Sequence, residues 1–450
     1  MTAKDDTYMK TPVYDFIQKY ASSGILRCHM PGHKGISPVS GAEALFSGDI
    51  TEISGADSLF EADGIIAESE KNMASLYGTA ATVYSAGGST LCIQAMLTIM
   101  KQENRRIFAV RNVHRSFLNT AALLDLDVEW ILPRYTGGIL SGEIDIAAVE
   151  EKLSSCEEPS CLYVTSPDYT GRLADISGLS AVCRRSGARL IVDNAHGAHL
   201  HFFENSLHPI SLGADMCCDS AHKMLPALTG AAMLHTSRQE YALLLKPAMS
   251  LFASTSPSYP VMTSLDLCNK YIAEEIRRDI AENLVYLSRF REKFSGRLEF
   301  ADSEPFHITV KASESGCDGR ELAELLRKNG VECEYADSEL IVLLSSPFFR
   351  PEDYTRLTEA LEKSLDSVGR YERNIRSFSM ELPRKAMRIR DAVFSTNEDV
   401  DVENSEGRIC GAVRVPCPPA VPIAASGEII DRNCINIFKS YGISTVNVVK

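Results

Sequence analysis

Between Gly64 and His235 the chain alternates short apolar runs with amphipathic stretches, a pattern that admits few folds. The runs Ile107–Val110, Val128–Leu132, Leu162–Thr165, Leu190–Asp193, Met216–Asp219 and Ala231–His235 are four or five residues long, the length of buried parallel strands. Between several of them, apolar residues recur at helical spacing: Ile65, Ile66, Met73, Leu76 and Tyr77, then Leu91, Ala95, Met96 and Ile99, then Leu179, Val182 and Cys183. Strands alternating with helices imply right-handed crossovers, hence an α/β fold with a mostly parallel sheet covered on both faces. Ligands of such sheets bind beyond the carboxyl ends of the strands, so the residues that follow each run are the ones to search for chemistry.

After Lys270 the pattern changes. Tyr271–Gly296 is charged and reads as a helix. His307–Lys311, the helix Gly319–Asn329, Val331–Tyr335, Leu340–Leu344 and the helix Pro351–Val368 make a smaller α/β domain. A charged helix (Pro383–Phe394), an acidic loop (Asn397–Glu406) and the proline-rich stretch Pro416–Pro422 follow. The expected division is an arm over 1–60, a large domain over 61–270, a small α/β domain over 271–372 and a carboxy-terminal domain over 373–450.

Charge and composition exclude several functions. With 46 Lys and Arg against 60 Asp and Glu, the net charge of −14 argues against nucleic acid as a partner. A hydrophobic content of 45% with 24% charged residues suits a chain that folds throughout. The polar start MTAKDDTYMK lacks the form of a secretory signal, and nowhere do about 18 apolar residues run together, so a cytoplasmic protein without membrane contact is expected. The 13 cysteines include no Cys-x-x-Cys pair, Cys217 and Cys218 being adjacent, and are expected to be reduced thiols.

Three post-strand segments carry candidate chemistry. Gly87-Gly88-Ser89-Thr90 opens the helix near Leu91, where backbone N–H groups, the helix dipole and two hydroxyls would cradle a phosphate, or cap a helix after a flexible turn. Leu190–Asp193 ends an apolar strand on a carboxylate, either a partner for a cation or a turn cap. Lys223, in Ser220-Ala221-His222-Lys223, follows the run Met216–Asp219 and is either an amine nucleophile or a solvated surface charge. Together, a phosphate cup, a carboxylate and a lysine on one sheet edge match what pyridoxal 5′-phosphate requires.

The chain resembles the Orn/Lys/Arg decarboxylases, the group III pyridoxal-phosphate decarboxylases of fold type I. The resemblance rests on His29-Met-Pro-Gly-His-Lys34, Gly87–Thr90, Arg111-Asn-Val-His114-Arg-Ser116, Asp193-Asn-Ala-His-Gly-Ala-His199, Ser220–Lys223 with Leu225–Thr229, and Ser254-Thr-Ser-Pro-Ser-Tyr259, in the family's order. It implies an aspartate aminotransferase-like large domain, a small domain and a divergent family carboxy-terminal domain, in a short form without the amino-terminal wing domain of longer relatives. Lys223 would hold the cofactor as a Schiff base, Asp193 would face the pyridine nitrogen, His114 would stack on the ring and Ala195 would pack on its other face. Gly88, Ser89, Thr90, Ser220 and His222 would surround the phosphate, with His196 beside the cofactor. Lys223 or His222 would protonate the substrate carbanion. Ser256, in Ser254–Ser256, would reach the neighbouring subunit's site, so a homodimer or higher homo-oligomer is implied. The implied reaction is decarboxylation of arginine, lysine or ornithine, feeding polyamine synthesis.

The match departs from the family at four places. Asn194 stands where many relatives carry a carboxylate, which would remove a charge beside the cofactor. Ala86 replaces an asparagine, and Cys417-Pro-Pro-Ala-Val-Pro422 and Ala425-Ser-Gly-Glu428 replace a Tyr-Pro-Pro-Gly-x-Pro and a Pro-Gly-Glu motif. The alternatives are an aminotransferase or lyase using the same cofactor, and a cofactor-binding relative without turnover. A metal at His196-x-x-His199-x-His201 is set aside because no cysteine or carboxylate completes it, and no metal is expected. No Gly-x-Ser-x-Gly elbow occurs.

Overall fold

The computed structural model describes residues 9–135, 139–371, 380–412 and 421–450. The start MTAKDDTY and the replaced residues Cys417 to Ala420 lie outside the described residues. The chain divides into two compact units, Met1–Ile99 with Asp193–Asp279, and Met100–Val192 with Ile280–Lys450.

In the first unit the strand Ala232–Thr236 lies between Ala81–Ser85 and Met216–Asp219 and pairs antiparallel with both, with Ala81 and Met216 each opposite Thr236. Antiparallel pairing of the run expected at Ala231–His235 follows from its connection: only the four-residue helix Ala221–Met224 separates it from the preceding strand, and no crossover helix is present. The helix Gly88–Gln102 buries Leu91, Cys92, Ile93, Ala95, Met96, Leu97 and Ile99, so it is a core helix and not an amphipathic surface one.

Two carboxylates, the partly buried Asp57 shortly before its helix and the fully buried Asp266 from far along the chain, hold helix starts in this unit. Asp57 accepts from the backbone N–H groups of Gly64 and Ile66 at 2.9 Å each, serving the helix Ile65–Tyr77 whose Gly64 cap has no side chain. Asp266 accepts from Val13 and Tyr14 N–H at 3.0 Å each, at the start of the helix Pro12–Ala21, and from the Ser69 hydroxyl at 2.5 Å. Burial pushes the Asp266 carboxyl up to about 6. Because the folded-state value lies above the unfolded one, ionisation opposes folding: the contribution of Asp266 is complete below about pH 4 and is lost as the pH rises to about 6. Relative to wild type, Asp266→Asn should therefore gain up to about 3 kcal/mol between about pH 4 and about pH 7. Urea denaturation at both ends of that range checks this, and a stability difference independent of pH would refute it.

The second unit holds the strands Arg189–Asp193, Ser160–Thr165, Arg106–Val110 and Val128–Ile131 in that spatial order, the last residue of the first strand opening the other unit's second segment. Arg106–Val110 runs parallel to both Ser160–Thr165 and Val128–Ile131. The helices Ile146–Ser154 and Ile176–Ser186 start at Asp145 and Asp175, whose carboxylates accept from backbone N–H groups two or three residues on. The strands His307–Val310, Ile341–Leu344 and Tyr335–Ala336 form an antiparallel sheet with the helices Gly319–Lys328 and Pro351–Ser367, close to the expected small α/β arrangement.

Three expectations need correction. The charged helix of Tyr271–Gly296 is the end of one helix, Tyr259–Glu274, and the whole of another, Ile276–Phe294, with Glu275 between them outside helical geometry. Helix in the segment Pro383–Phe394 is confined to Ile389–Phe394, and Lys385 instead makes a strand-like bridge to Glu428. The first half of the acidic loop is the strand Asn397–Asp401, paired antiparallel with Thr445–Val449, and a short 3-10 turn, Val402–Asn404, follows it. In a two-stranded ladder both strands are edges, where charged side chains remain solvated, so the acidic composition is compatible with strand.

Candidate active site

The first unit gathers most of the residues singled out after the apolar runs. The strand Ala81–Ser85 leads through Ala86 and Gly87 to Gly88, whose φ of +68° is left-handed and favours a residue without Cβ. There the Ser85 hydroxyl donates to Gly88 O at 2.9 Å and accepts from Gly87 N–H at 3.1 Å, and Gly88 N–H donates to Gly230 O at 2.8 Å. These bonds fix the first turn of a 15-residue helix. Ser220, at the end of the strand Met216–Asp219, donates its hydroxyl to Ser89 Oγ at 2.9 Å, so two hydroxyls from separate elements meet at that helix start, with Thr90 exposed beside them. Orphan N–H groups, the positive end of the helix dipole and paired hydroxyls make an anion cradle.

Asp193 ends its strand only 2% exposed, accepting from Ala195 N–H at 3.3 Å and from the Cys218 thiol at 3.6 Å. Ala195 is partly buried. Asn194 turns the other way: fully buried, it donates its side-chain amide to Asp219 Oδ1 at 2.7 Å. Gly197 permits this, because a Cβ there would lie 2.0 Å from Asn194 Oδ1. The amide at this position is thus tied into the core through Asp219.

Lys223 is exposed on the helix Ala221–Met224, and its Nζ lies 2.9 Å from His196 Nε2. His222 donates from Nδ1 to Ala231 O at 2.8 Å, so the neutral ring has its proton on Nδ1 and keeps Nε2 as a base. His201 Nδ1 lies 3.1 Å from Ser211 Oγ, and burial, followed by the charges of His208 and His235, lowers its pKa to about 4. With His196 directed to Lys223 and His201 to Ser211, the His196, His199, His201 spacing does not assemble a metal triad. Ser256 sits on an exposed turn, its N–H donating to Ser254 Oγ at 3.1 Å.

His114 belongs to the second unit. It caps the helix Arg115–Leu124, Nδ1 accepting from Ser116 N–H at 3.2 Å, which leaves the proton of the neutral ring on Nε2. Sequence reasoning quoted Arg111 only as part of the His114 motif and gave it no role. Arg111 is fully buried and makes a bidentate ion pair with Glu428 at 2.8 and 2.6 Å, donates to Pro422 O at 3.0 Å and covers the Trp130 ring at 4.7 Å. No local pattern signals a pair separated by 317 residues.

The family model of the Orn/Lys/Arg decarboxylase major domain matches residues 11–313. The chain belongs to the Orn/Lys/Arg decarboxylase family. It is 27% identical over 459 residues to a Bacillus subtilis protein named arginine decarboxylase, covering 96% of this chain and 94% of that one. To an arginine decarboxylase of Halalkalibacterium halodurans it is 28% identical over 451 residues, covering 94% of this chain and 92% of the relative. The solved lysine decarboxylase of Francisella novicida superposes with a TM-score of 0.82 over 98% of this chain and 79% of that chain at 16% identity, a likeness of fold. The decarboxylase chain thus has the α/β, fold type I architecture with a mostly parallel sheet, whose cofactor is pyridoxal 5′-phosphate. The donor set fits that cofactor: an amine for its aldehyde, a buried carboxylate for its ring nitrogen, and paired hydroxyls at a helix start for its phosphate.

Proposed function

We propose that this decarboxylase acts on arginine, releasing CO₂ and the corresponding amine, with Lys223 as the residue that carries the cofactor. The observation that carries this reading is the grouping, within one unit, of Lys223 and its His196 contact with buried Asp193 and the Ser89–Ser220 cradle. The full-length relatives named arginine decarboxylase support arginine ahead of lysine and ornithine. The bound cofactor supplies an electron sink for the pair left on Cα when CO₂ departs.

The chain's own residues supply position and protons. Asp193, desolvated at its strand end, would hold the cofactor's ring nitrogen in its protonated form. Ser89, Thr90 and Ser220 would hold the phosphate at the helix start. His196 Nε2 directs Lys223 Nζ, and a proton passes between these atoms over their 2.9 Å separation. His222, its Nδ1 tied to Ala231 O, has only Nε2 left to accept or deliver a proton, so it or Lys223 returns the proton to Cα. Exposed Ile25, Leu26, Met30, Ile36, Val39 and Leu45 on the amino-terminal arm support a homodimer that covers them. The cytoplasm, and a step that feeds polyamine synthesis, suit this chemistry.

A panel of arginine, lysine and ornithine, with CO₂, amine and keto acid measured together, tests the reading. Equal amounts of CO₂ and agmatine from arginine are expected. Keto acid without CO₂ would instead favour a transaminase, and cofactor binding with no turnover on any of the three would favour the non-catalytic alternative.

A further inference from the structure

The core of the first unit holds a second chemical cluster, distinct from the cofactor residues. His208, Cys217, Asp219 and His235 are each fully buried. One ligand atom each from His208, Cys217 and Asp219 lies within 4.8 Å of the others. His208 Nε2 is 3.1 Å from Asp219 Oδ2 and 3.8 Å from Cys217 Sγ. His235 Nε2 approaches the same Oδ2 to 3.3 Å, yet that nitrogen has no hydrogen-bond partner. Its other nitrogen, Nδ1, is held by Thr82 Oγ1 at 2.8 Å.

Sheet geometry explains the convergence. Cys217 and Asp219 are two apart on one strand and so share a face, and Cys217 and Thr82 are each paired with His235 across the antiparallel ladders. The Tyr77 ring lies 5.2 Å from His208 and 4.6 Å from His235, closing the cluster with apolar surface. Asn194 occupies only the other carboxylate oxygen, Oδ1.

We propose that His208 Nε2, Cys217 Sγ, Asp219 Oδ2 and, after a small ring shift, His235 Nε2 bind one structural zinc ion. A tetrahedral zinc with Zn–N and Zn–O near 2.0–2.1 Å and Zn–S near 2.3 Å has N···O edges of about 3.3 Å and N···S edges of about 3.6 Å. The contacts of 3.1, 3.3 and 3.8 Å have that size. One thiolate, one carboxylate and two neutral imidazoles cancel the charge of a divalent ion, the condition for burying it fully, and the thiol proton leaves to solvent as sulfur binds. The Thr82 hydroxyl orients His235 as an outer partner orients a ligating imidazole. Through Oδ1 and Asn194, the ion would brace the strand ends that carry Asp193 and Lys223.

Metal analysis of the holoenzyme decides the matter. Cells grown with zinc, and purification without chelating resin, should yield about one zinc per chain, with an X-ray absorption spectrum showing one sulfur near 2.3 Å and nitrogen or oxygen near 2.0–2.1 Å. Cys217→Ser should lose the sulfur shell, and His208→Gln should lower bound zinc several-fold, both with native circular dichroism. Asp219→Ala removes a core charge and risks misfolding, so the assignment rests on those two variants. Folded wild type with less than about 0.1 zinc per chain, both as purified and after renaturation with zinc chloride, would overturn the proposal. So would a sulfur shell that persists in Cys217→Ser, or full zinc content in folded His208→Gln.

Discussion

With Lys223 as the proposed carrier of the cofactor, Lys223→Ala is expected to lower turnover by about 10⁴-fold or more, because no other group would replace an amine bonded covalently to it. The visible absorbance that pyridoxal 5′-phosphate gives when held by a lysine should disappear with it. Lys223 is exposed, so the variant should fold with stability within about 0.5 kcal/mol of wild type, which separates lost chemistry from lost structure. Lys223→Arg should fail as well, since a guanidinium stays protonated and is no nucleophile. A rate in either variant within tenfold of wild type would place the reacting amine elsewhere.

The largest effect on stability is expected at Glu428. Its carboxylate meets Arg111 at 2.8 and 2.6 Å and also accepts from Ala425 N–H at 2.7 Å, and both partners of the ion pair are almost wholly desolvated. Glu428→Ala leaves the Arg111 guanidinium buried beside the Trp130 ring and two carbonyl groups without its counter-charge. Uncompensated burial of this kind costs about 3–5 kcal/mol. Replacing both residues together, as Arg111→Met with Glu428→Leu, should recover much of that loss, because apolar groups of similar volume often serve as well as a buried pair. Denaturant midpoints of the single and double variants check the pair. A single variant within 1 kcal/mol of wild type would show that the ion pair is not under load.

The parts of this molecule that were legible from sequence are those with local causes. Each of the six apolar runs between Gly64 and His235 overlaps a strand, because four or five consecutive apolar residues bounded by turns need both faces covered, whereas of Val331–Tyr335 only Tyr335 lies in one. Asp145 and Asp175 stand directly before the helices they cap. Asp266 caps a helix from far along the chain, and such a cap leaves no local signature, while Asp57 reaches over a loop to a helix start that it does not directly precede. The strand Asn397–Asp401 was hidden by its charge, which an edge tolerates.

The candidate site divides in the same way. Lys223, Asp193, Ser89 and Ser220 could be singled out from sequence because the carboxyl ends of strands are where α/β sheets place ligands. The bond from Asn194 to Asp219 depends on a close approach over Gly197, and the Arg111–Glu428 pair on the packing of segments 317 residues apart. The cluster of His208, Cys217, Asp219 and His235 escaped notice because cross-strand register, and not spacing, brings its members together.

Arginine labelled at its carboxyl carbon, given to the purified holoenzyme in deuterated water, tests the central claim most directly. Labelled CO₂ and agmatine should appear in equal amounts, the amine carrying one deuterium on the carbon that lost the carboxyl, and Lys223→Ala should form neither. Label retained in a keto acid, or agmatine formed equally by Lys223→Ala, would contradict decarboxylation at Lys223.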